Sequence, residues 1–263
     1  MQILTHLKRS EVFLKLTEQI RAGHVPCSLF GVPDSLKPHL ASALSDELGR
    51  SVIVVCADDN SADMYADALD EAVCIPRRPL QLRSSVARSR EVMFKRIDGI
   101  SKMQRGESKI AFLSEEALLA RLVPPDDFKN AHLTIQSDDT FDPERLIQHL
   151  VLNGYERVGA VETAGQAARR GEILDVFCPG AVAPYPIDFF DTVVESIHAF
   201  DPGTQRRSRE SLSEVTLPPA VELTLSALAT QKAADYFSSA KPKNPVLAQR
   251  FDDYASHIQK HHY

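Results

Sequence analysis

The sequence changes texture once, at Gln136-Ser-Asp-Asp-Thr-Phe-Asp142, and that change limits what the chain can fold into. Before it, short apolar runs alternate with helical periods. Residues 1–24 read as a helical lead-in, and Ser28-Leu-Phe30 as a short strand. Leu36, Leu40, Ala43, Leu44 and Leu48 then recur at helical spacing, with Gly49 as the stop. Ser51-Val-Ile-Val-Val55 is β-branched and suits a strand buried on both faces of a parallel sheet. Ser61–Leu69 is a further helix, Val86–Gln104 a basic one, and Lys109–Phe112 a strand. Ser114 opens a helix that Pro124-Pro125 ends, and Ala131–Ile135 is a last short strand. This alternation predicts an α/β layer.

After the break the pattern differs. Asp142-Pro143 is a cap and first-turn pair for a helix over Pro143–Asn153, which Gly154 stops. Four strands are expected at Val158–Val161, Glu172–Phe177, Tyr185–Phe190 and Val193–Phe200. Pro179-Gly180 and Pro202-Gly203 mark reversals. A helix followed by a meander is an α+β module, ending near Leu217-Pro-Pro219. Two helices follow, Leu225–Ser239 and Val246–His262. The expected fold is α/β: a Rossmann-like or P-loop-like parallel-sheet body with a small inserted α+β antiparallel module. Residues 1–136 form the first part of the body, 137–217 the module, and 218–263 the return to the body.

Bulk properties narrow the function. A chain of 263 residues, 43% hydrophobic, has ample material for one large or two ordinary domains. A net charge of −6 does not make an electrostatic glove for DNA. From Pro143 to Leu217 there are seven arginines, no lysine and eleven acidic residues, which also opposes direct phosphate binding. Arg206-Arg-Ser-Arg209 is read as a charged turn. No apolar run approaches the ~18 residues of a membrane span, and the N-terminus has no signal pattern, so the chain is expected in the cytoplasm. Cys27, Cys56, Cys74 and Cys178 lie at no C-x-x-C spacing, which excludes a zinc site of that kind; all four are expected to be buried and reduced.

Gly31-Val-Pro-Asp-Ser-Leu-Lys-Pro38 occupies the place of a nucleotide-binding loop, G-x-x-x-x-G-K-[ST]. Gly31 and Lys37 fit. Leu36 replaces the second glycine and obstructs the backbone cradle, and Pro38 replaces the hydroxyl that holds Mg²⁺. The loop is degenerate, a turn capped by Asp34 or Ser35, and no nucleotide, other cofactor or metal is expected. No D-E-x-x motif follows a strand; Asp58 and Asp59 are loop and helix-cap residues. Asp175 and Asp188 look like a carboxylate pair, but alternation places both on the outward sheet face. No G-x-S-x-G is present, and no catalysis is expected in this chain.

Arg170-Gly-Glu-Ile-Leu-Asp-Val-Phe177, Ile187-Asp-Phe-Phe-Asp191, Val194-Glu-Ser-Ile197 and Phe200-Asp-Pro-Gly-Thr-Gln205 form a connected set in order. Together they resemble the small domain shared by the bacterial transcription-repair coupling factors (Mfd) and the excision-repair subunit UvrB. The resemblance is diffuse before residue 140, with Arg96-Ile, Gly106 and Ser114–Leu122 as early correspondences, and specific from Tyr155 to Leu217. It implies a domain that docks onto the repair ATPase UvrA through arginines on a sheet. Carried over by position, these fall on Arg157, after Tyr155-Glu156, and on Arg170, before Gly171; the third falls on Ala168. Arg169 next door points to the opposite face of a regular strand, so it substitutes only if a bulge redirects it. Gly171 is read as permitting a close or bulged backbone. Among the two family branches, Asp70–Arg90 holds no tyrosine or phenylalanine, so the aromatic damage-clamping hairpin of UvrB has no counterpart. The resemblance therefore favours the coupling-factor N-terminal region, recruiting UvrA to stalled RNA polymerase. RNA polymerase and DNA would be engaged only by other parts of such a protein. The alternatives are a UvrB-type nucleotide-dependent helicase fragment, or a structural domain whose partner site has decayed.

Overall fold

The computed structural model describes residues 2–78, 90–201, 206–222, 227–240 and 242–259. The chain is mixed α/β and divides into two compact units, Met1–Arg121 and Leu122–Tyr263.

The first unit opens with α1 (Gln2–Arg9) and α2 (Glu11–Arg21). The Ser10 hydroxyl between them accepts from the Phe13 amide at 3.3 Å and so caps α2. A 3-10 turn, Asp34–Leu36, leads into α3 (Lys37–Leu48), which Gly49 closes in the left-handed region at φ 63°. The remaining elements are β1 (Val52–Cys56), α4 (Asp59–Asp67), β2 (Ala72–Cys74), α5 (Arg90–Arg105), β3 (Ile110–Ser114) and α6 (Glu115–Leu119). The three strands form a parallel sheet in the order β1-β3-β2. Central β3 is buried along its whole length, as a strand flanked on both edges requires. Val52, Val54 and Cys56 pack with Ile110 and Phe112 against Ala41 of α3 and Ala62, Tyr65 and Ala66 of α4.

Two expectations fail here. Ile53 and Val55 are 57% and 49% exposed, because β1 is an edge strand whose packed face carries only the alternate residues. Ser28–Phe30 joins no sheet, and Phe30 is exposed. Of the expected helix over Val86–Gln104, residues 86–89 lie outside the described residues. Pro125 does not merely end a helix; it starts α7 (Pro125–Asn130), where a missing N–H costs nothing.

The second unit contains α7, β4 (Leu133–Gln136), α8 (Pro143–Leu152), β5 (Glu156–Arg157), β6 (Gln166–Arg170), β7 (Ile173–Phe177), β8 (Tyr185–Phe190), β9 (Val193–Asp201), β10 (Arg206–Leu212), β11 (Glu214–Leu217), α9 (Ala227–Ser239) and α10 (Pro245–Gln259). Six strands form one sheet in the order β10-β9-β8-β7-β6-β5. All neighbours are antiparallel except β5, which runs parallel to β6. Separately, β4 pairs antiparallel with β11. Ala167, Leu174, Val176, Ile187, Phe189, Val194 and Ile197 are fully or almost fully buried and line one face of the large sheet. Leu146, Ile147 and Leu150 are the buried stripe of α8.

The strand expected at Val158–Val161 is replaced by the two-residue β5 just before it. The strand β6 was not legible, because Gln-Ala-Ala-Arg-Arg has no β-branched residue; pairing with β7 makes it a strand, not propensity. The Arg206–Arg209 turn is instead part of the edge strand β10.

The chain leaving the sheet is fastened to the end of α8. The Tyr155 hydroxyl donates to the Pro218 carbonyl at 2.6 Å, and the Ala220 amide to the Asn153 carbonyl at 2.8 Å. Gly154 sits at φ 87°, where an added Cβ would clash with the Val221 side chain. Beyond this fastening, α9 and α10 pack through Phe237, whose ring meets Phe251 and Tyr254 edge-on at 5.2 and 5.5 Å.

Candidate docking surface

The surface begins at the N-terminus of α8. The Asp142 carboxylate accepts from the amides of Glu144 and Arg145 at 2.8 and 3.3 Å, and Pro143 opens the helix. This fixes Glu144 in the first turn, where a negative charge faces the positive end of the helix dipole. Arg157 of β5 donates to both Glu144 oxygens, from Nη1 at 2.5 Å and Nη2 at 3.1 Å, the two-pronged geometry of a strong guanidinium–carboxylate pair. Nη1 of Arg169 on β6 lies 3.7 Å from the same carboxylate, and its Nε donates to the Gly171 carbonyl at 3.0 Å. Arg157, by hydrogen bond and then by charge, holds the Glu144 carboxyl below its ordinary range, and Arg169 adds to this. Glu144 in turn raises the Arg157 guanidinium, first by hydrogen bond and then by charge.

Arg170 points the other way. Its Nε and Nη2 donate to the Asp175 Oδ2 at 2.8 and 2.5 Å. The Asp175 side chain is only 4% exposed while that of Arg170 is 58% exposed, so a half-solvated cation covers a buried carboxylate. The pairing of β6 with β7 runs without a register shift from Gln166 to Arg170. Arg169 therefore faces away from Ala168 and sits beside Arg157. Ala168 itself is fully buried. Gly171 turns the chain at φ 65°, and a Cβ there would meet nothing within 4 Å. Its role is the left-handed backbone of the β6–β7 turn, not a close approach or a bulge.

The sequence thus named Arg157, Arg169, Arg170 and Gly171, and the structure brings Arg157 and Arg169 together while placing Arg170 across the strand. Glu144 was missed. Its signal, an acidic residue just after Asp142-Pro143, shows where it lies in a helix but not which strand the helix start meets.

The degenerate loop is internally liganded. The Lys37 Nζ lies 2.6 Å from Asp34 Oδ1, and the Tyr65 hydroxyl donates to the same oxygen at 3.2 Å. Asp34 is lowered by the hydrogen bonds it accepts from Lys37 and Tyr65, and Lys37 is raised by the one it donates to Asp34. The lysine that a working loop would aim at phosphate is paired with a carboxylate of its own loop.

Asp188, Ser196 and His198 also meet, on the face of the large sheet opposite its apolar core. The Ser196 hydroxyl donates to Asp188 at 3.0 Å and lies 3.1 Å from His198 Nε2, which is itself 3.5 Å from Asp188. A nucleophilic relay needs the carboxylate on Nδ1 and the hydroxyl on Nε2. Here both sit at Nε2, so the trio is a polar network of the sheet surface. Asp175 and Asp188 keep the face expected for them, but Asp175 is buried there. Among the described residues no group of three or more acidic, histidine or cysteine side chains is placed to hold a metal, and no helix is long and apolar enough to cross a membrane.

Comparison with known proteins shows what the chain is similar to. Residues 133–223 match the family model described as the UvrB interaction domain. The transcription-repair-coupling factor of Bacillus subtilis is 29% identical over 227 residues, 84% of this chain and 19% of that protein. That of Haemophilus influenzae is 30% identical over 186 residues, 69% of this chain and 16% of that protein. That of Myxococcus xanthus is 28% identical over 226 residues, 81% of this chain and 19% of that protein. The chain spans about a fifth of the length of these curated relatives. Most of this chain is therefore similar to one part of the bacterial transcription-repair-coupling factors, and residues 133–223 are similar to the UvrB interaction domain.

Proposed function

We propose that this chain docks UvrA in transcription-coupled excision repair, and that it does so through the arginine-bearing end of the large sheet. The observation that carries the reading is the placement of Arg157, Arg169 and Arg170 at one end of β5 and β6, within the segment similar to the UvrB interaction domain. Arginine forks recognise carboxylates in paired hydrogen bonds and dominate many interfaces. In a longer protein of this kind, acting in the cytoplasm, such a surface would bring UvrA to RNA polymerase stalled at damage; contacts to polymerase and DNA would belong to the rest of that protein. The finer partition also belongs to this proposal: a docking module at residues 137–217, with 218–263 returning to the α/β body.

Titration of purified UvrA against the wild type, Arg157→Ala and Arg170→Ala tests the reading. Both variants are expected to weaken binding by about tenfold or more. Equal binding by all three would overturn the arginine assignment and favour a decayed partner site. The chain's own role is interface formation without catalysis, a reading supported by the Lys37–Asp34 pair. Saturable MgATP binding, lost in Lys37→Ala, would overturn that part and favour a UvrB-type nucleotide site.

A further inference from the structure

Glu144 faces two of the three arginines of the surface, and it comes from a different element from either. It receives both prongs of Arg157 at 2.5 and 3.1 Å and stands 3.7 Å from Arg169. Its own position is fixed from both ends of α8. Asp142 caps the helix start, and the Tyr155–Pro218 bond ties down the chain that leaves the helix end for β5. The trio is not sequestered: the side chains of Arg157, Glu144 and Arg169 are 50%, 40% and 35% exposed. A guanidinium has five N–H groups, and Glu144 takes two of those on Arg157. At 3.7 Å the Arg169 contact is an ion pair, not a hydrogen bond, so Arg169 keeps its Nη donors. Two cations around one anion leave a single positive charge, which suits one further carboxylate.

We propose that Glu144 is a positioning residue of the docking surface, clamping Arg157 and Arg169 into one fork that receives a single carboxylate of the partner. The inference rests on the reading that this surface docks UvrA. Its physical content is preorganisation. An arginine free in solution loses much rotamer freedom when it binds, and a clamp fixed before the encounter removes that loss from the binding step. The opposite role, a resident carboxylate that the partner must displace, predicts the opposite sign for the same substitution.

The test is a double-mutant cycle on UvrA binding, with melting temperature measured for every variant. Glu144→Gln keeps the size of the side chain and removes its charge. It is expected to weaken binding by about three- to tenfold in the wild-type background, and by almost nothing once Arg157→Ala and Arg169→Ala are present. Glu144→Asp, which restores the charge one methylene shorter, is expected to recover part of the loss. Unchanged or tighter binding by Glu144→Gln, with Arg157→Ala still weakening it, overturns the positioning role and leaves the docking reading intact. A loss of equal size in both backgrounds, following the melting temperature, also overturns it, since that is the mark of a purely structural residue. If Arg157→Ala and Arg169→Ala themselves leave binding unchanged, this inference is overturned; the docking reading falls with it when Arg170→Ala, beside its Asp175→Ala double variant, is also without effect.

Discussion

Asp175 is a buried carboxylate of the sheet whose charge is met by Arg170. A buried carboxylate with a single cationic lid loses its compensation when the lid is removed. Arg170→Ala is expected to destabilise the fold by about 1–3 kcal/mol, measured by urea unfolding, because Asp175 is left desolvated. Asp175→Ala in the same chain should recover much of that loss, since removing both partners leaves no orphan. A binding defect of Arg170→Ala therefore needs the double variant beside it. The cysteines make a second residue-scale case. Three are buried, but Cys27 is exposed, against the expectation that all four would be interior. Burial first, and Asp63 second, pushes the Cys74 thiol up to about 12, and burial raises Cys56 as well. A thiol reagent at neutral pH should label Cys27 within the native chain and the other three only on unfolding; fast native labelling of Cys74 would contradict the packing.

At the scale of elements, the fastening of α8 to the chain after β11 governs how the docking end is held. Burial, with Cys178 alongside, raises the Tyr155 phenol well above its ordinary value. The sign follows directly. Below the ordinary phenol range, near ~10, both folded and unfolded states keep the proton and the contribution is constant. Above it the unfolded chain alone ionises, so stability falls as pH rises, by about 1.4 kcal/mol per pH unit, until the folded group titrates. Tyr155→Phe should be less stable at neutral pH, having lost the Pro218 bond, yet fall off less steeply in alkali. The two turn glycines separate space from conformation. Gly171→Ala meets open space and bears only the left-handed penalty of about 1–2 kcal/mol. Gly154→Ala bears that penalty and drives a Cβ into Val221, so it should unfold at a clearly lower temperature. The elements also show where sequence reading reaches. Helix α8 was legible because its cap, its proline and its apolar stripe lie in one short stretch. Strand β6 was not, because its reason for being a strand is β7.

Over the whole molecule, charge separates the two kinds of partner. The chain carries −6, and residues 143–217 have four more acidic than basic side chains. Gel-shift titration with duplex DNA at about 0.15 M salt should therefore show no retention by this chain, since binding there requires a phosphate-matching excess of cations. Local and contiguous information in the sequence determined the α/β texture, the helix caps, the loss of the phosphate loop and the similarity to the UvrB interaction domain. Each of these is written in neighbouring residues or in a fixed spacing. The pairings were decided only by the tertiary structure. Strand register put Arg169 beside Arg157 and Arg170 over Asp175, and the placement of α8 against β5 and β6 set Glu144 between Arg157 and Arg169. An ion pair between distant elements has no period and no spacing to read, because its partners become neighbours only when the sheet and the helix have packed.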